Sequence, residues 1–206
     1  KMAFRSMSSI VADAADPTRL AFHLFSDNIS LIEAPMATFM AQHPLISVRI
    51  RSDSELGEVT KYRRSIIAKL TDESNYRRFY IARLLQEEGA RYFVYLDTDV
   101  LVTGNFLETY DAEVLRLTQQ GEVPNPPVVA TGVQGRTVCW HGKMFNLDDE
   151  RLAGVRDAIG DRCLTASVLL VDVQRWISQG ITESVESWLK SNYEKPMWYL
   201  GSMPPL

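Results

Sequence analysis

Apolar and polar positions alternate along the chain in patterns that predict helices and strands in turn. Apolar residues recur at helical spacing from Met2 to Val11, which predicts a helix that ends before Pro17. Similar spacing predicts further helices at residues 31–42 (around Pro35), 75–88, 173–179 and 182–191. Continuous or alternating apolar runs predict strands at residues 20–25, 46–50, 91–96, 128–131 and 167–171.

The order of these elements predicts the fold class. Apolar strands that alternate with helices are typical of an α/β protein, in which a mostly parallel sheet carries helices on both faces. The sharpest break, residues 121–127, contains three Pro and one Gly but is too short to separate two domains, so it predicts a loop. We therefore expect one domain over residues 1–206, a length that can bury a real core.

Composition excludes some classes of partner. The 206-residue chain has a net charge of −4, so a broad basic stripe for nucleic acid is not expected. No apolar run approaches the ~20 residues of a membrane helix, so a membrane contact would need an anchor outside this sequence. Cys139 and Cys163 fit no metal-binding pattern, and pairing and free thiols both remain open.

Two aspartates directly after an apolar strand form the most informative motif. Asp97 and Asp99 follow the run Tyr95-Leu96, and ligands of α/β sheets bind at the carboxyl ends of strands. In extended chain, residues i and i+2 point the same way, so these carboxylates could hold one Mg²⁺ or Mn²⁺ ion. The alternative is that both aspartates merely form a turn.

Two other segments carry candidate binding residues. Arg78, on the helix before the aspartates, could bind a phosphate through two hydrogen bonds, or it could belong to a solvated basic pair. Thr165 and Ser167 could bind sugar hydroxyls at a strand edge, or they could be the ordinary start of a strand. A helix begins after Asp172, which is expected to be its N-cap.

Four ordered segments resemble family 8 glycosyltransferases. They are residues 75–80, 95–106 (YLDTDVLVTGNF), 163–176 (CLTASVLLVDVQRW) and 181–192 (ITESVESWLKSN), in the order and spacing of that family. The opening residues 16–28 and the tail 200–206 resemble the eukaryotic branch that includes galacturonosyltransferase-like and glycosyltransferase-8 domain-containing proteins.

The resemblance implies a GT-A fold, a UDP-sugar donor and a Mn²⁺ (or Mg²⁺) cofactor. Asp97 and Asp99 match the metal motif, Thr98 lies beside the ribose, and Arg78 matches an arginine near the donor. The triplet Thr165, Ala166 and Ser167 matches residues near the donor sugar. Family members transfer a hexose or uronic acid with retention of configuration, to a glycan or glycoprotein acceptor. They usually work in the Golgi or secretory lumen.

The sequence departs from the family pattern at three places. The family's first strand is expected before Lys1, and its third metal ligand, a histidine, is expected after Leu206. The triplet has Thr165 where the family has Asn and Ser167 where it has Gly, and a Gly position with unusual φ tolerates Ser poorly. No carboxylate can be assigned as a catalytic nucleophile from the sequence.

Three functions are consistent with these residues. The first is a metal-dependent transferase that uses a UDP-sugar. The second is a catalytically silent GT-A module that binds a protein or glycan partner, motivated by Thr165 and Ser167. The third is a metal-dependent nucleotide-sugar hydrolase on the same fold.

Overall fold

The computed structural model describes residues 2–119, 127–132, 145–154 and 164–202. Its helices are α1 (Met2–Ala12), α2 (Ser30–Gln42), α3 (Ile81–Glu87), α4 (Phe106–Gln119), α5 (Val173–Ser178) and α6 (Ile181–Glu194). Its strands are β1 (Ala21–Ser26), β2 (Ser47–Ser52), β3 (Tyr92–Leu96), β4 (Val128–Gly132) and β5 (Leu164–Asp172). This alternation confirms the predicted α/β class.

The chain divides into two compact units. The first comprises Lys1–Glu55 and Leu96–Pro126, and the second comprises Leu56–Tyr95 and Pro127–Leu206. Most of the predicted loop at residues 121–127 lies outside the described residues, as do Cys139 and Cys163. The prediction of one domain therefore stays a prediction.

The first unit is built on the parallel pair β1 and β2, which align Ala21 with Ser47. One face of this pair packs on α1 and α4 through a buried cluster of Ile10, Leu20, Ile46 and Leu107. A second cluster joins Met7 of α1 to Met36 and Phe39 of α2. The apolar stripes that predicted these helices are thus the faces that bury against the strands.

Helix α4 has no counterpart among the predicted elements. Leu107 and Leu117 are its buried residues, and the amide of Glu108 donates to the side chain of Asn105 just before the helix. The spacing of Leu107, Tyr110, Val114 and Leu117 repeats every three or four residues, so a helical signal is present in the sequence.

The second unit contains a three-stranded sheet in the order β3-β5-β4. Strands β4 and β5 run antiparallel, with a register shift between Ala130 and Thr131. Asp172 accepts a hydrogen bond from the amide of Arg175, which confirms its predicted role as the N-cap of α5. The indole of Trp176 on α5 donates to Thr182 of α6, and Thr182 in turn donates to the carbonyl of Phe79.

The predicted helix at residues 75–88 is α-helical only from Ile81. The preceding residues form two 3₁₀ turns, Glu73–Asn75 and Arg77–Phe79. Three aromatic side chains of this stretch, Tyr76, Phe79 and Tyr80, are at most 2% exposed. The i and i+3 spacing of a 3₁₀ turn puts Tyr76 and Phe79 on one side, where they pack together. Side-chain donors bind two carbonyls of this stretch, Arg78 that of Asn75 and Thr182 that of Phe79, and they compete with the amide donors of a regular α-helix.

Asp149 and Arg151 tie a 3₁₀ turn to the end of α6. The guanidinium of Arg151 donates to both carboxylate oxygens of Asp149, at 2.8 and 2.7 Å. It also donates to the carbonyls of Ser191 and Lys195. A basic side chain that binds carbonyls at the C-terminal end of a helix stabilises that end, and here it also holds the 3₁₀ turn in place.

We expect acid to remove the contribution of Asp149 to stability. Hydrogen bonds from the side chain and amide of Arg151, together with its charge, hold the pKa of Asp149 well below its usual range. A carboxyl with a depressed folded-state pKa stabilises the fold above its unfolded pKa of about 3.9 and loses this contribution as pH falls. Asp149→Asn should therefore lower the unfolding midpoint at pH 7, with the difference from wild type shrinking below about pH 4. A difference that stays constant from pH 7 to pH 3 would contradict this explanation.

No helix among the described residues is long and apolar enough to cross a membrane.

Candidate functional site

The aspartate motif forms a tight turn at the end of β3. The amide of Val100 donates to the carbonyl of Asp97 at 3.1 Å, which places Thr98 and Asp99 at the two central positions of a β-turn. Asp97 is half-buried, while Thr98 and Asp99 are exposed. The expectation that the carboxylates share a direction because the chain is extended is therefore wrong. The chain turns here because Asp and Thr side chains compete well for turn positions.

The donor set of this turn suits a hard divalent cation. Within the described ranges, no group of three His, Cys, Asp or Glu side chains is arranged to hold a metal ion. However, Mg²⁺ is commonly bound through one or two carboxylates, with water and substrate phosphates completing its ligands. Asp97 and Asp99 fit that smaller set, since both supply carboxylate oxygens on a turn that solvent reaches.

Arg78 is held in place within the second unit. Its Nη1 donates to the carbonyl of Ala166 at 2.9 Å, and its Nε donates to the carbonyl of Asn75 at 3.2 Å. The guanidinium carbon also lies 4.8 Å from the ring centre of Tyr95 on β3. The alternative of a solvated basic pair is wrong for this arginine, because tertiary contacts hold the guanidinium beside β5 and β3.

Asn75, whose carbonyl accepts from Arg78, is itself held by contacts to residues that precede it in the chain. Its side-chain amide donates to the carbonyls of Lys69 at 3.2 Å and Asp72 at 3.4 Å. Asp72 also accepts from Ser74, which lowers the pKa of the Asp72 carboxyl and caps the 3₁₀ turn Glu73–Asn75. Arg78 is thus positioned by a chain of local backbone contacts as well as by β5.

The triplet Thr165, Ala166 and Ser167 lies on β5. Ala166 is buried, and its carbonyl is the one that receives Arg78. The hydroxyl of Thr165 donates to the hydroxyl of Ser167 at 3.0 Å and accepts from the amide of Ser167 at 3.2 Å. Among the described residues, none other than Gly has a positive φ. Ser167 therefore carries no backbone strain in place of the family's Gly.

The structure brings Arg78, Tyr95 and Ala166 together in the second unit, although long stretches of chain separate them. Asp97, Thr98 and Asp99 lie in the first unit, in the turn that begins two residues after Tyr95. Sequence reasoning missed Tyr95. The available signal was an aromatic residue on the strand before the aspartates, with an arginine on the preceding element, a pair that commonly stacks.

Comparison with solved structures identifies the fold of this protein. The chain matches mouse xyloside xylosyltransferase 1, apo form, with a TM-score of 0.61 and 12% identity, over 99% of this chain and 72% of that chain. It matches the apo structure of the bifunctional glycosyltransferase WbbM with a TM-score of 0.63 and 17% identity, over 96% of this chain and 35% of that chain. At these identities the likeness establishes the fold, which is that of GT-A glycosyltransferases.

The family follows from the sequence profile. Residues 2–206 match glycosyl transferase family 8, and the chain belongs to that family. A comparison with curated protein sequences gives no significant match. The family prediction is therefore confirmed, while the narrower eukaryotic branch stays a prediction.

Proposed function

We propose that this glycosyltransferase moves a hexose or uronic acid from a UDP-sugar to a glycan or protein acceptor, with Mn²⁺ or Mg²⁺ as cofactor. Family membership supports sugar transfer. The donor, the metal and the retention of configuration are proposed from the family resemblance together with the residues around Arg78 and Asp97.

One observation carries the proposal. Arg78 is held against the carbonyl of Ala166 and the ring of Tyr95, and the aspartate turn begins two residues after Tyr95. A cationic group thus contacts the penultimate residue of β3, and a carboxylate pair follows that strand along the chain. A diphosphate needs both, because cations bind its oxygens and carboxylates hold a metal that bridges to it.

Asp97 and Asp99 would hold the cation. When bound, a divalent cation neutralises the negative charge that develops on the leaving diphosphate. The turn itself would present Thr98, at a central position between the two aspartates, to the ribose.

Arg78 would stabilise the leaving diphosphate electrostatically. Hydrogen bonds to two backbone carbonyls orient its planar, positively charged guanidinium. A charge fixed before reaction costs no reorganisation when negative charge develops.

Calorimetry of UDP binding tests the proposal directly. The protein should bind UDP in the presence of Mn²⁺, and chelator should abolish most of that binding. Binding that is equally strong in chelator would contradict the metal role of the aspartate turn. Release of UDP from a UDP-sugar without any acceptor would indicate the nucleotide-sugar hydrolase instead.

A silent binding module is the second candidate, favoured by one contact. The hydroxyl of Thr165 donates a hydrogen bond to the hydroxyl of Ser167. In a sugar-binding triplet, these hydroxyl groups would instead bind the donor sugar. Such a module need not bind UDP, and chelator should leave its thermal stability unchanged. Absence of UDP binding with and without Mn²⁺ would favour this candidate.

Arg78→Lys should weaken UDP binding by about tenfold. Lysine keeps the positive charge, but its single ammonium cannot reproduce the planar contacts to Ala166, Asn75 and Tyr95. Calorimetry with Mn²⁺ measures the change. Arg83→Lys is the matched control, since Arg83 is an exposed arginine of α3 that pairs with Glu183. Equal UDP affinity in Arg78→Lys and wild type would show that only charge matters at this position.

A further inference from the structure

Residues 60–70, called here the 60–70 ribbon, lie along the end of α6 and the segment after it. Nη1 of Arg64 donates to the carbonyl of Tyr193 at 3.1 Å. The amide of Ile66 donates to the carbonyl of Tyr199 at 2.9 Å, and the hydroxyl of Ser65 donates to the same carbonyl. The rings of Tyr62 and Tyr193 are 5.8 Å apart between centroids. These contacts join two distant parts of the chain into one surface.

This surface gathers exposed apolar side chains. Ile66 is 76% exposed, Ile67 49%, Tyr193 50% and Tyr199 38%. Within the described part of the second unit, these are all of the large apolar residues that are exposed. Single exposed apolar residues are ordinary, but a concentration of all of them on one surface is typical of an interaction site.

The 60–70 ribbon is basic in a chain that is acidic overall. The 60–70 ribbon contains Lys61, Arg63, Arg64 and Lys69 and no Asp or Glu, whereas the whole chain has a net charge of −4. Arg63 pairs with Glu73. Lys61, Arg64 and Lys69 form no ion pair with any carboxylate in the described ranges, so their charges are available to a partner. Charge complementarity therefore favours an acidic partner.

The apolar residues select the kind of acidic partner. Isoleucine offers neither a hydrogen bond nor a flat face to a sugar, but it packs well against apolar side chains of a polypeptide. Tyr and Arg are the residue types enriched in protein interfaces, with Tyr offering an apolar ring and a polar hydroxyl. We infer that the 60–70 ribbon, with Tyr193 and Tyr199, docks an acidic polypeptide segment that carries apolar or aromatic side chains.

Binding of a random copolymer of Glu and Tyr to the full chain tests this inference, because the copolymer combines both features. It should bind saturably at low ionic strength, and poly-Glu should bind at least about tenfold more weakly. Lys61→Glu and Ile66→Asp should each weaken copolymer binding by about tenfold. These substitutions change exposed side chains and leave the backbone bond from Ile66 to Tyr199 in place.

Two substitutions in the first unit are matched controls. Arg5→Glu makes the same charge change on α1, and Leu31→Asp changes a side chain that is 72% exposed, against 76% for Ile66. Both should bind the copolymer like wild type, and thermal unfolding should show all four variants folded. The inference is overturned if the copolymer does not bind, or if the controls weaken binding equally. It is also overturned if polygalacturonate or phosphatidylserine vesicles bind as tightly, since the occupant would then be a glycan or a membrane.

Discussion

Asp97→Ala should weaken Mn²⁺-dependent UDP binding by about 100-fold and leave the unfolding midpoint close to that of wild type. Mutation of a residue that only supports a metal ligand lowers metal affinity by about 10- to 100-fold. Loss of a carboxylate that binds the metal directly is therefore expected to cost at least about 100-fold. The fold should tolerate the change because the turn is closed by the carbonyl of Asp97, which alanine retains. Calorimetry with Mn²⁺ and with chelator measures the effect.

Asp111→Ala provides the control for this variant. Asp111 is an exposed aspartate of the first unit that pairs with Arg19, and an exposed pair contributes little to stability. Its removal should change neither UDP affinity nor metal dependence. If Asp97→Ala binds UDP with wild-type affinity, the aspartate turn is a structural turn and the proposed donor site is wrong.

Asn192→Leu should lower the free energy of unfolding by about 4 kcal/mol, because it leaves two buried amides without an acceptor. The side-chain oxygen of Asn192 accepts from the amide of Met197 at 2.7 Å and from the amide of Trp198 at 2.9 Å. All three residues are at most 1% exposed, so water cannot replace the lost bonds. Each orphaned buried amide costs about 1–3 kcal/mol.

Urea unfolding measures this effect. The unfolding midpoint of Asn192→Leu should fall while the m-value stays constant. This combination indicates lower stability with no change in the surface area that unfolding exposes. Asn28→Leu is the control, since Asn28 is exposed and should change stability by no more than about 0.5 kcal/mol. A similar small change in Asn192→Leu would mean that the Met197–Trp198 backbone finds other partners.

Local sequence predicted most elements of the fold because the apolar residues on the buried face of a helix or strand recur at the period of that element. The apolar stripe of α1 and the runs in β1 and β5 are of this kind, and so is the cap at Asp172. The stretch before Ile81 was predicted as α-helix because its aromatic spacing fits both helix types. Hydrogen bonds from the side chains of Arg78 and Thr182 to carbonyls of this stretch, which the spacing does not predict, favour 3₁₀ turns.

The sequence by itself determined the class of fold, the family, and the position of the aspartates directly after β3, since each depends on residues close together in the chain. The tertiary structure decided that Asp97–Val100 is a closed turn and that Arg78 meets Ala166, 88 residues away. It also decided that Ile66 and Tyr199 share a surface and that Asn192 supports the backbone of Trp198. The physical reason is that a contact between distant residues depends on how whole elements pack, and no local periodicity records that packing.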